Sequence, residues 1–191
     1  MCAICNFKIE FGVGHPLALS VAAATRVGIE SGLLDEDKAG GVLTTARQRL
    51  AAIETLQMFQ DRLETSVTID ELLDLPDFYV LLIESETWGF FHPTSEGFDP
   101  DIVPDIPDTS TEDVERRSVV VVTANVTLLA LLAGSVDMQE ALLDQLVVVD
   151  APGSHSGKLC AAFGRALGVP ALRHAGTEVR EGLRDELTGN R

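Results

Sequence analysis

The chain is short of basic residues, of cysteine and of long apolar runs, and each shortage removes a class of function. Lysine and arginine together number 14 against 30 acids, giving a formal net charge of −16 and a pI near 4.4. A surface of that sign repels nucleic acid and anionic membranes; it promotes solubility, and a well-solvated surface is a simpler reading of it than a site for cationic partners. Three cysteines are too few for a disulfide framework. No apolar run reaches the roughly 20 residues that span a bilayer, and Asn6, Lys8 and Glu10 interrupt the start where a secretory leader would be apolar. A cytoplasmic protein with reduced thiols is expected, with no nucleic acid among its partners and no membrane span.

What is present is material for a core. Hydrophobic residues make up 46% of 191 positions, enough for one domain or one domain with an appendage. The expected division is an N-terminal strand and helix within residues 1–40, followed by one domain over 41–191. FKIEF at 7–11 alternates apolar and charged residues and predicts a strand; Pro16 then suits a helix start. The helix from 17 to 33 is apolar nearly all round, so a homo-oligomer burying it is expected. Leu43, Ala46, Leu50, Ile53, Leu56, Phe59 and Leu63 recur every three or four residues and predict a helix over 42–64.

Thr68 and Glu71 have the spacing of a capping box, and Pro76 ends the short helix after them. FYVLLIES and TWGFFHP predict two strands joined at Ser85 and Glu86. Residues 93–117 hold four prolines and eight acids and predict a long acidic loop. Asp99, Asp101, Asp105 and Asp108 belong to that loop as solvated charges, because interleaved prolines do not suit a calcium loop. Then come a strand (118–124), two short helices (126–134 and 136–144), a strand (145–151) with an apolar run that predicts burial on both faces, a glycine-rich loop (152–157) and a helix (158–168). A strand at 169–175 and a polar helix at 177–189 complete the expectation. The mixed order favours α+β with a mixed or antiparallel-rich sheet covered by helices; a doubly wound α/β arrangement is the alternative.

The run VVVVTANVTLLALLAGSVDMQEALLDQLVVVDAP carries a family resemblance. Thr123 closing a strand, the segment from Leu128 to Leu132 with Gly134, then Asp137, Ala141 and Leu142, and the strand from Leu146 to Val149 resemble the central signature of the sterol-carrier-protein family. The resemblance covers about 50 residues, roughly 118–168. The chain departs from the family's glycines on either side of the second strand, placing Asp144 and Gln145 before it and Asp150 and Ala151 after it. The resemblance implies a sheet covered by helices with an apolar tunnel for an acyl chain, a sterol or a similar ligand, and no catalytic residue. Apolar residues available to line such a cavity are Phe59, Tyr79, Leu81, Trp88, Phe90, Leu128 and Leu132, each of which also suits an ordinary core.

Two other constellations compete. Cys2 and Cys5 form a C-x-x-C pair, and His15, with a fourth ligand from His92, His155 or His174, would complete a zinc or iron site. A redox role for the pair is disfavoured, because the predicted strand after it offers no helix N-terminus to lower a thiol pKa. The loop at 151–158, with Gly153, Gly157 and Lys158, has the outline of a phosphate or nucleotide cradle. Its spacing misses the Walker pattern by one residue, and Leu159 stands where a magnesium-binding hydroxyl is required. Ser154 beside His155 does not make a nucleophile and base, and no G-x-S-x-G elbow exists. The reading is therefore a small hydrophobic ligand carrier, with metal or redox binding and phosphate binding as alternatives, and binding favoured over catalysis.

Overall fold

A computed structural model describes residues 14–35 and 44–168. The predicted strand at 7–11, Leu43, and the strand and helix predicted beyond 168 lie outside the described residues. The architecture is α+β. Among the described residues six helices, in order α1 (Ala18–Glu30), α2 (Thr44–Ser66), α3 (Ile69–Leu73), α4 (Asn125–Leu132), α5 (Met138–Leu143) and α6 (Gly153–Leu167), surround a four-stranded sheet. Its strands are β1 (Phe78–Leu82), β2 (Thr87–Phe91), β5 (Val120–Thr123) and β6 (Val147–Asp150) in the spatial order β2-β1-β5-β6. β1 is antiparallel to β2 and parallel to β5, and β5 is antiparallel to β6, so the sheet is mixed and not doubly wound.

The strands separate two apolar layers. Phe78, Val80, Leu82, Phe91 and Val121 face α2, α4 and α6, where they meet Leu56, Phe59, Leu63, Leu128, Leu131 and Phe163. Phe78 and Phe91, paired in register, stack at 4.8 Å, while Phe59 lies edge-on to Phe91 and to Phe163. Gly89 lets α2 lie this close to β2: a Cβ there would stand 3.1 Å from Leu56 Cδ1. On the other face Tyr79, Leu81, Trp88, Val120 and Val122 meet Val21 of α1. The helix expected within an N-terminal appendage thus packs its buried edge on the sheet, while Leu19 and Val27 point outward.

Helix boundaries follow local chemistry. The capping box forms: Glu71 N–H donates to Thr68 Oγ1 and Thr68 N–H to Glu71 Oε2 at 2.9 Å. At the end of α4, Gly134 takes φ +69° while its N–H donates to the Leu131 carbonyl and that of Ser135 to Ala130. α5 ends in the same way, with Gln145 at φ +58° in the left-handed position that glycine fills most readily.

Three expectations are corrected. The segment 93–117 is not loop throughout: β3 (Pro93–Thr94) and β4 (Gly97–Phe98) form a ribbon held to α2 by Glu64, whose carboxylate accepts the Phe98 N–H at 2.8 Å. A single 3-10 turn, Val114–Arg116, follows. Among the described residues β6 lies at the edge of the sheet, with Val148 and Val149 only half-buried, so its apolar run does not signal burial on both faces. The segment expected as a glycine-rich loop is the first part of α6, because Pro152 sets the N-cap geometry and Leu159, Phe163 and Leu167 anchor the helix in the core.

Candidate functional site

α4 is apolar on every side, so packing one face on the core leaves another unburied. Thr127, Leu128 and Leu131 turn inward. Leu129 is exposed, with Val126 and Ala130 half-buried beside it. The sequence gives α4 no capping side chain of its own at Ala124; Glu84, in the turn between β1 and β2, supplies one. Its carboxylate accepts the N–H groups of Asn125 at 2.7 Å and Val126 at 3.3 Å, where the positive end of the helix favours a negative charge.

Beside α4 lies a cleft of about 740 Å³ walled by Leu33, Ala51, Val126, Leu129, Ala130 and Ala133. Asp35, Asn125 and Ser135 form its polar rim. A second hollow of about 500 Å³ adjoins it at Leu129 and Ala133 and continues between α2 and α4 past Met58 and Leu132, with Asp61 and Thr65 of α2 on its polar side. Arg62 closes that end, its Nη2 donating to the Leu132 carbonyl at 3.3 Å. The pair forms an open apolar groove along one helix with polar groups at its ends.

The sheet divides the residues expected to line a ligand cavity. Phe59 and Leu128 are buried among the helices of the α2 side, whereas Tyr79, Leu81, Trp88 and Phe90 belong to the α1 side. Tyr79 packs on Phe90 at 4.9 Å, and its hydroxyl donates to the Asp105 carbonyl at 2.8 Å. Burial first, then the charges of Asp105 and Asp77, push that hydroxyl up to about 12. Of the seven residues, Leu132 alone lines the groove. Leu129, central to it, was not singled out from the sequence; its signal was an eight-residue helix with more apolar surface than one core contact buries.

Cys2 and Cys5 lie outside the described residues. His15 is held within the fold: Nδ1 accepts the Leu17 N–H at 3.2 Å, and Nε2 stands 3.2 Å from Asp150 Oδ2, within ion-contact distance but outside hydrogen-bond geometry. Its side chain is fully buried, and burial holds its pKa below the ordinary value against the opposing pull of Asp150, with Arg117 adding to the lowering. His15 thus ties the start of α1 to β6. His92 pairs with Asp77 at 2.8 Å. Among the described residues no group of three or more His, Cys, Asp or Glu side chains is placed to hold a metal ion. Gly153 and Gly157 are exposed on the first turns of α6, and Lys158 Nζ donates to Asp74 at 2.6 Å, tying α6 to the end of α3. Among the described residues no helix is long and apolar enough to cross a membrane.

No family model and no curated protein matches the chain. Among solved structures it is similar to the sterol carrier protein domain 2 of Helicoverpa armigera, determined in solution, at 13% identity over 70% of this chain and 97% of that one, with a TM-score of 0.40. The likeness to that one structure is a partial one.

Proposed function

We propose that the protein binds a small hydrophobic ligand, lipid-like in its long apolar portion, in the groove between α2 and α4. The observation that carries this reading is the 740 Å³ cleft with its 500 Å³ continuation, which share the aliphatic wall that Leu129 and Ala133 present on a helix whose start is capped and whose end is closed. Each hollow by itself falls within the roughly 300–1,000 Å³ typical of small-molecule sites. Releasing water from Leu33, Val126 and Leu129 supplies the driving force, at about 25 cal/mol per Å² of apolar surface covered. The polar ends, Asp35, Asn125 and Ser135 at one and Asp61 and Arg62 at the other, suit a molecule with a polar terminus, since a buried polar group needs a hydrogen-bond partner. The reading is of a binder or carrier and assigns no turnover.

Native mass spectrometry of the protein mixed with palmitate tests it. A one-to-one adduct that disappears in Leu129→Asp is the expected result. A bare protein mass throughout a ligand titration would remove the reading.

A further inference from the structure

On the opposite side of the molecule the chain between β4 and β5 crosses the α1 face as an irregular segment that ends in the 3-10 turn Val114–Arg116. Tyr79 anchors it through the Asp105 carbonyl at 2.8 Å, Thr109 reaches the Gly14 carbonyl at 3.4 Å, and Ser118 accepts and donates bonds to Asp108. Pro100, Pro104 and Pro107 restrict the same stretch. Despite this anchoring it turns aliphatic side chains to solvent: Val103 is 88% exposed, Ile106 68% and Ile102 39%. Val103 and Ile106 gain little from folding where they stand, and aliphatic side chains exposed together on a held segment are the pattern of a contact surface.

The surrounding charge says what kind of surface would meet it. Residues 99–115 hold seven acids and no lysine, arginine or histidine. The carboxylates of Asp101 and Asp105 accept no hydrogen bond and pair with no base among the described residues. The nearby Arg117 is turned inward to the Thr111 carbonyl and Asp150. A second copy of this chain is a poor occupant, because strip against strip would set seven acids against seven. An anionic bilayer is repelled for the same reason.

We propose that residues 101–106 form a docking strip for a partner protein whose apolar pockets are rimmed by lysine or arginine. Val103 and Ile106 enter the pockets, and Asp101 and Asp105 meet the rim. The prolines and the Tyr79 anchor hold the strip extended before the partner arrives, which lowers the ordering cost of association. The strip is separate from the α2–α4 groove and does not depend on the groove's occupant.

The probe is a short synthetic peptide alternating lysine and leucine, followed by fluorescence anisotropy with the full chain at low and high ionic strength. Binding is expected at low salt and should weaken with salt. Val103→Ser with Ile106→Ser should weaken it about tenfold or more, since each side chain loses its apolar burial. Asp101→Asn with Asp105→Asn should weaken it comparably, whereas Glu54→Gln with Glu140→Gln removes the same charge elsewhere and should leave it near the wild-type value. The proposal is overturned if no binding occurs, if a lysine–serine peptide binds equally well, or if the remote pair of substitutions matters as much as the strip pair. Concentration-dependent dimerisation lost in the Val103→Ser, Ile106→Ser protein would also overturn it, in favour of a second copy. Thermal melts of all variants check that each is folded.

Discussion

Replacing Gln145 by glycine is expected to stabilise the protein. Gln145 sits at φ +58° after α5, where its N–H donates to the Leu142 carbonyl at 3.3 Å and the next N–H, of Leu146, to Ala141 at 2.8 Å. The side chain is exposed and makes no hydrogen bond among the described residues, so nothing is lost with it. A left-handed backbone costs an L-residue about 1–2 kcal/mol. Glycine removes that strain but gives back about 0.5–1 kcal/mol through the greater freedom of the unfolded chain. The net gain is about 0.5–1 kcal/mol, which for a chain of this size raises Tm by about 1–4 °C. Asp144, one residue earlier at φ −85°, is the control: Asp144→Gly relieves no strain and should lower stability by about 0.5–1 kcal/mol. Thermal and urea unfolding of both variants decide the matter. A loss in Gln145→Gly as large as that in Asp144→Gly would refute the assigned backbone geometry and the reasoning built on it.

Three further outcomes are expected. Glu84→Ala removes the acceptor for the first N–H groups of α4 and should cost about 1 kcal/mol in urea unfolding, with Glu84→Gln costing less. Gly97→Ala places a Cβ at φ +122° against the Glu64 carboxylate, the group that accepts the Phe98 N–H, and should destabilise by about 1–3 kcal/mol, visible as a lower Tm. His15 titrates below its ordinary value of 6.5, so just below that pH the unfolded chain binds more protons than the folded one. Its contribution is complete above 6.5 and is lost as pH falls through the folded value; stability curves for wild type should slope downward with acid in that window, and His15→Gln should flatten the slope.

Where one physical signal decided the local structure, the sequence was readable. The three-and-four spacing of Leu56, Phe59 and Leu63 marks the core edge of α2, and Thr68 with Glu71 specifies the start of α3 through bonds that both form. The N-terminal half of the same stripe misleads: Ala46 and Leu50 are exposed, because spacing identifies a helix face without saying how far its neighbours extend. The order from β5 through α4 and α5 to β6 was legible from short apolar runs divided by Gly134 and Asp137. The side of the sheet on which each aromatic lies was not. FYVLL is apolar at every position, so its period of two is invisible until Phe78 is seen on one face and Tyr79 on the other. The start of α6 was hidden because Gly-Ser-His-Ser-Gly has low helix propensity, and tertiary burial of Leu159 and Phe163 overrides it. The groove was hidden for a related reason: it depends on how α2 and α4 are placed against each other, which no spacing encodes.

Titration of a fluorescent fatty acid into wild type, Leu129→Asp and Ala133→Glu tests the proposed function most directly. Both substitutions put a charge into the wall shared by the two hollows, at positions that are exposed and leave the core intact. Saturable binding at one site in wild type, weakened about tenfold or more in both variants while their Tm stays near the wild-type value, is the predicted result. Absence of binding in wild type, or equal affinity in all three proteins, would contradict the assignment of the α2–α4 groove as a hydrophobic ligand site.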